Sequence, residues 1–107
     1  MHDKPVPYEK GSLVVLPLSG EFDLATSDAF ESSLNGADDG TRTIVVDFSE
    51  VTYLDSSTLN VLVRKHKSVG GRLRIVVPKD CPARRIFDLS GLSRQLKVVE
   101  SLAELEG

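Results

Sequence analysis

Short β-branched runs alternate along this chain with stretches whose apolar residues recur at three- and four-residue steps, the rhythm of strands and helices. A weak strand is predicted at Pro5 to Glu9 and a better one at Leu13 to Leu18, joined by the turn Tyr8-Glu9-Lys10-Gly11-Ser12. Pro5, Pro7 and Pro17 each lack the N–H that a ladder needs, which places this pair toward a sheet edge. Gly20-Glu21-Phe22-Asp23 leads into a helix over Leu24 to Asn35, with Ala25, Ala29, Phe30, Ser33 and Leu34 on one face. Asn35-Gly36 closes it. Arg42 to Phe48 reads as a buried strand around Thr43-Ile44-Val45-Val46.

A second helix is predicted over Ser57 to Val69, its stripe formed by Leu59, Leu62, Val63, His66 and Val69, and Gly70-Gly71 ends it. Leu73 to Val77 is the next strand, and strand, helix, strand in that order calls for a parallel pair with a right-handed crossover. Asp80-Cys81-Pro82 starts a third helix that turns Ile86, Phe87 and Leu89 inward and stops at Ser90-Gly91. Leu96 to Val99 is a last short strand, and Ser101-Leu102-Ala103-Glu104 is a capping box opening a C-terminal helix. This order predicts an α/β fold: one domain over 1–107, with a mixed β-sheet of four to five strands and helices packed mainly on one face.

Composition narrows what such a domain does. With 107 residues, 40% of them apolar and 27% charged, the chain has the size of one soluble domain. No apolar run approaches the roughly 20 residues of a spanning helix. The first nine residues carry Asp3, Lys4 and Glu9 and two prolines without an apolar stretch, unlike a secretory leader. A lone Cys81 forms no internal disulfide, and together these features point to the cytoplasm.

The net charge of −3 hides an uneven distribution. Residues 64–97 hold ten bases against two acids, Asp80 and Asp88. These bases are either the solvated faces of helices or a docking face for an acidic protein, with Arg64, Lys67 and Arg84 or Arg85 turned to the partner. Nucleic acid is not expected, because the bases lack interleaved aromatics and no DNA-binding motif is present.

The segment least like scaffold runs from Phe48 to Leu59. There Ser56, Ser57 and Thr58 follow Asp55 as the chain enters a helix, whose first N–H groups have no intrahelical partner. As plain capping, Asp55 or Ser56 is the N-cap and Ser57 and Thr58 fill a solvated first turn. The same geometry accommodates a phosphoryl group, since free N–H groups and the positive end of the helix dipole favour an anion.

Five groups of residues together resemble the anti-sigma factor antagonists, which are STAS domains. They are Gly20-Glu21-Phe22-Asp23; Ile44-Val45-Val46-Asp47-Phe48; Val51 to Leu54 followed by Asp55-Ser56-Ser57; Gly70-Gly71; and Arg85-Ile86-Phe87-Asp88-Leu89-Ser90-Gly91-Leu92. The resemblance covers nearly the whole chain and implies a single STAS domain over 1–107. It implies that Ser56 is phosphorylated by a cognate anti-sigma factor that is also a serine kinase. Unphosphorylated, such an antagonist binds the anti-sigma factor and frees the sigma factor; phosphorylation ends the binding and a phosphoserine phosphatase resets it. Asp23, Asp55, Ser56, Ser57 and Thr58 are then the expected partner-binding residues. The chain departs from the family at Thr58, where glycine is usual, adding bulk and a hydroxyl. The alternative reading is a STAS accessory subunit of a membrane transport system, with the hydroxyls unmodified.

Catalysis by the chain itself is not expected. A serine hydrolase built on Ser56 lacks a base and an oxyanion partner. His66 sits on an apolar stripe and reads as packing, and His2 lies in the terminus. Cys81 at a helix start has no partner thiol, so a redox role has little support. Asp23 and Asp55 alone make a poor metal site. No GxxxxGK[ST] loop is present, and no cofactor is expected.

Overall fold

In a computed structural model, residues 5–106 are described. His2, Asp3 and Lys4 lie outside them. The strands are β1 (Tyr8–Lys10), β2 (Leu13–Phe22), β3 (Thr43–Leu54), β4 (Leu73–Val76) and β5 (Val98–Val99), and the helices are α1 (Ser27–Ala37), α2 (Ser56–Val69), α3 (Pro82–Ser90) and α4 (Leu92–Gln95). Single 3-10 turns add Leu24–Thr26, Gly70–Arg72 and Leu102–Leu105. The sheet order is β1-β2-β3-β4-β5, with β1 antiparallel to β2 and the other pairs parallel. This is the mixed five-stranded sheet of an α/β domain, with the β3-α2-β4 parallel pair expected from the element order.

The two faces of the sheet are covered differently. On one, Leu16, Leu18, Ile44, Val46, Phe48 and Ile75 meet Phe30 and Leu34 of α1, Leu59 and Leu62 of α2, Phe87 of α3 and Leu92 of α4 in one buried cluster. The other carries a smaller cluster, Leu13, Val15, Val45 and Val76, capped by Val99, Leu102 and Leu105. The helices therefore pack mainly on one face.

Several elements differ from the sequence expectation, each for a physical reason. β1 begins at Tyr8, beyond Pro5 and Pro7, neither of which has an N–H to give. β2 continues to Phe22; Pro17 is tolerated because β1 pairs only as far as Val15 and a register shift falls between Pro17 and Ser19. The first helix opens with a 3-10 turn, which changes the phase of the inner face to Ser27, Phe30, Leu34 and Ala37 and leaves Ala25 and Ala29 exposed. It runs through Gly36 to Ala37. Leu89 stands 74% exposed, not inward: it is two residues past buried Phe87 and so about 200° further round the helix. Leu92, in the unexpected α4, takes the core position instead. The Ser101–Glu104 capping box forms as predicted, but it opens one 3-10 turn.

An ionic hub ties α1 to α2 and to the turn before β4. Asp38 accepts Lys65 Nζ at 3.0 Å, an Arg72 guanidinium N–H at 3.1 Å and the Gly40 N–H at 2.8 Å, and its side chain is 16% exposed. Arg72 above all, with the Gly40 N–H and then Lys65, holds the Asp38 carboxyl well below the usual carboxylate range. A depressed acid stabilises the fold fully above its unfolded value, about 3.9, and loses that contribution as pH falls below it. Denaturant titrations from neutral pH to pH 2 are therefore expected to show the Asp38→Asn protein less stable at neutral pH and converging on the wild type in acid. Two curves that stay parallel would remove Asp38 from the acid response.

Candidate functional site

Strand register builds the site. Phe22 and Leu54 are partners at the C-terminal ends of parallel β2 and β3, so Asp23 and Asp55, the next residue on each, leave the sheet side by side on strands about 4.8 Å apart. The Asp55 N–H also donates to the Phe22 carbonyl at 3.2 Å. Residues 32 positions apart in sequence thus meet at one edge.

Both carboxylates are engaged within the chain. Asp55 is the N-cap of α2, with extended backbone, and one carboxylate oxygen accepts the Ser57 N–H at 3.0 Å and the Ser57 hydroxyl. The Ser57 hydroxyl first, then the backbone N–H groups of Ser57, Thr58 and Leu24, lower the Asp55 pKa and keep it ionised. Asp23 caps the 3-10 turn Leu24–Thr26 in a reciprocal box: its carboxylate accepts the Thr26 N–H at 3.2 Å, while its own N–H donates to Thr26 Oγ1 at 2.9 Å.

The three hydroxyls are not equivalent. Ser56 is the first residue of α2, exposed, and its Oγ has no hydrogen-bond partner among the described residues. Ser57 is half-buried with its hydroxyl held by Asp55. Thr58 is fully buried, and its Oγ1 has no hydrogen-bond partner among the described residues. The expectation of a solvated Thr58 is corrected: it stands one turn before Val61 and Leu62 and shares their inward stripe. A residue with no exposed surface cannot contact a partner directly, so Thr58 drops out of the expected contact set. The bulk that replaces the family's usual glycine points into the core.

The remaining candidates fall elsewhere. His66 is half-buried on α2, its Nδ1 without a hydrogen-bond partner among the described residues, and Cys81 is the N-cap of α3, packed against the core. Among the described residues no three His, Cys, Asp or Glu side chains converge on a metal-sized site, and no helix is long and apolar enough to cross a membrane. Of the bases expected to face a partner, Arg64 pairs with Glu31 at 3.3 Å. Arg84 donates to the Val77 carbonyl at 2.9 Å and pairs with Asp88. Arg84 is thus held within the molecule, Arg64 stays exposed beside Glu31, and Lys67 and Arg85 have no ion pair among the described residues.

Sequence reasoning missed two residues at this edge. Leu24 is 76% exposed and Tyr53 is 53% exposed. The sequence puts Leu24 at the start of a helix, and Tyr53 in the segment Phe48 to Leu59 that stands out from scaffold but carries no strand signal, although β3 runs through it. Tyr53 is near Ser56 in the chain itself, whereas only the pairing of β2 with β3 brings Leu24 to the same edge.

Comparison with known proteins identifies the family and the fold. The model of the STAS domain family matches residues 4–105. The chain is 32% identical over 108 residues to an anti-sigma F factor antagonist of Paenibacillus polymyxa, covering 92% of this chain and 91% of that protein. It is 28% identical over 96 residues to the anti-sigma-F factor antagonist RsfB of Mycobacterium tuberculosis strain ATCC 25618 / H37Rv, covering 88% and 79% respectively. Among solved structures, an anti-sigma factor antagonist from Mycobacterium paratuberculosis superposes with a TM-score of 0.83 at 23% identity, covering 94% of this chain and 87% of that one. That likeness shows the fold.

Proposed function

The chain belongs to the STAS domain family, and from that premise we propose that it is an anti-sigma factor antagonist switched at Ser56. Unmodified, it binds a cognate anti-sigma factor that is also a serine kinase, and so frees a sigma factor for transcription. Phosphorylation of Ser56 releases the partner, and a phosphoserine phosphatase restores the binding form. The contact surface is the edge formed by Asp23, Asp55, Ser56 and Ser57. The exchange takes place in the cytoplasm, and the chain contributes no catalysis or cofactor of its own.

One observation carries the choice of residue: Ser56 is both exposed and free of hydrogen bonds among the described residues, while Ser57 is held by Asp55 and Thr58 is buried. A kinase must bring the acceptor oxygen in line with a nucleotide phosphate, which a buried threonine cannot do without unwinding the first turn of α2. The position also suits the product, since the first N–H groups of a helix favour an anion. The names of the matching relatives support the anti-sigma assignment over the transport alternative.

The test is phosphosite mapping by mass spectrometry after incubation with ATP and the anti-sigma factor kinase of the same organism. Wild type and Ser57→Ala are expected to carry phosphate on Ser56, and Ser56→Ala to carry none. Ser56→Ala should still fold, because Asp55 supplies the cap. Phosphate on Ser57 or Thr58 of the wild type would overturn the assignment. No transfer to any of the three would favour the transport reading.

A further inference from the structure

We infer that Leu24 and Tyr53 are the apolar anchors of this surface, seating in two apolar sockets of an anti-sigma factor whose rim is basic. The inference rests on the reading of Ser56 as the switch and specifies how the partner must be built. A single exposed leucine is ordinary on a protein surface. Leu24 differs because its backbone is fixed: it is the first residue of the 3-10 turn that the reciprocal Asp23–Thr26 box closes. Such a side chain enters a pocket without the ordering cost that a mobile loop incurs. Tyr53 is fixed in the same way by β3, where it pairs with Glu21, and it stands three residues before Ser56. A rigid, exposed aromatic is the residue type that dominates binding energy in protein interfaces.

Charge sets the rim. Glu21 and Glu50 are exposed on the paired ends of β2 and β3 and make no ion pair among the described residues. Asp23 and Asp55, by contrast, each commit one carboxylate oxygen to a cap within the chain. Bases on the partner therefore match Glu21 and Glu50 around the anchors. Ser56 follows Asp55, whose N–H donates to the carbonyl of Phe22, two residues before Leu24, so the switch stands on the same edge as the anchors. A phosphate there enters the part of the contact that excludes water, out of reach of the rim bases, which makes it an off-switch.

Titration calorimetry with the purified anti-sigma factor tests this on unmodified protein. Leu24→Ala and Tyr53→Ala are each expected to weaken binding by about tenfold or more, with circular dichroism melts unchanged. Leu89→Ala, a truncation of an equally exposed leucine on α3, is the control and should leave affinity intact. The double variant Glu21→Lys with Glu50→Lys should slow association several-fold at low salt, an effect that fades as salt screens it. Leu24→Ala and Tyr53→Ala at wild-type affinity would overturn the anchors, as would an equal loss in Leu89→Ala. An association rate indifferent to the Lys pair would overturn the basic rim. If phosphorylated wild type bound as tightly as unmodified protein while Leu24→Ala still lost affinity, the anchors would stand and the switch at Ser56 would fall.

Discussion

Phosphorylation of Ser56 is expected to weaken binding of the anti-sigma factor by about 100-fold or more while leaving the fold unchanged. A phosphoserine adds a charge of about −1.5 to −2 at neutral pH. It arrives beside Asp55, which its hydrogen bonds keep ionised, and near Asp23 on the adjacent strand. The helix terminus offsets part of this repulsion, by about 0.3–1 kcal/mol at an exposed site, so the free phosphoprotein stays folded. In the complex the dianion loses its water without a paired charge, and that costs several kcal/mol. At about 1.4 kcal/mol per factor of ten, roughly 3 kcal/mol is already 100-fold. Ser56→Asp should lose less, because it adds one charge and little bulk. Calorimetry checks this on wild type, Ser56→Asp and phosphoprotein, with circular dichroism to follow folding; three equal affinities would sink the switch.

How far the site was readable from sequence depends on which of its determinants are local. The cap was legible: Asp55 before Ser56 and Ser57 at the mouth of an apolar-striped helix is a local pattern, and the structure makes Asp55 the N-cap. The inward turn of Thr58 was also written in the sequence, since Val61 and Leu62 stand three and four residues on, but a hydroxyl in a first turn reads as solvated. The neighbourhood of Asp23 and Asp55 was not local. It depends on the register of two parallel strands across shifts between Pro17 and Ser19 and between Gly20 and Glu21, and no run of residues encodes that count.

The same distinction explains the strand that was cut short. Thr43 to Asp47 lies between β2 and β4, and its core, Ile44 to Val46, is buried on both faces, so it reads as a β-branched run. Past Asp47 the strand keeps β2 on one side but has no further β4 partner, and its outward positions Glu50, Thr52 and Tyr53 are exposed. Beyond Phe48, only Val51 and Leu54 continue the inward pattern. The edge proposed as the contact surface is thus carried by the half of β3 with the weakest sequence signal and the fewest sheet neighbours.

That half of β3 needs support from elsewhere, and α3 provides it. Phe87 packs edge-on against Phe48, ring centroids 5.2 Å apart, and both are fully buried. Phe48 is the first residue of β3 beyond its pairing with β4, so this contact braces the strand that ends in the Asp55 cap. Phe87→Ala is expected to destabilise the domain by about 3–5 kcal/mol, the transfer cost plus that of a cavity the sheet cannot close. Against a total of roughly 5–15 kcal/mol that is enough to leave the variant marginal. Leu89→Ala on the exposed side of the same helix should stay within about 0.5 kcal/mol of wild type. Because the lost brace holds Phe48, three residues before Val51 on the same strand, the amide protons of Val51 to Leu54 should also gain exchange beyond what global unfolding of the variant accounts for. Urea unfolding with hydrogen exchange reads both effects. A Phe87→Ala loss no larger than that of Leu89→Ala, or exchange of Val51 to Leu54 no faster than global unfolding, would show that the edge bearing Ser56 stands without α3.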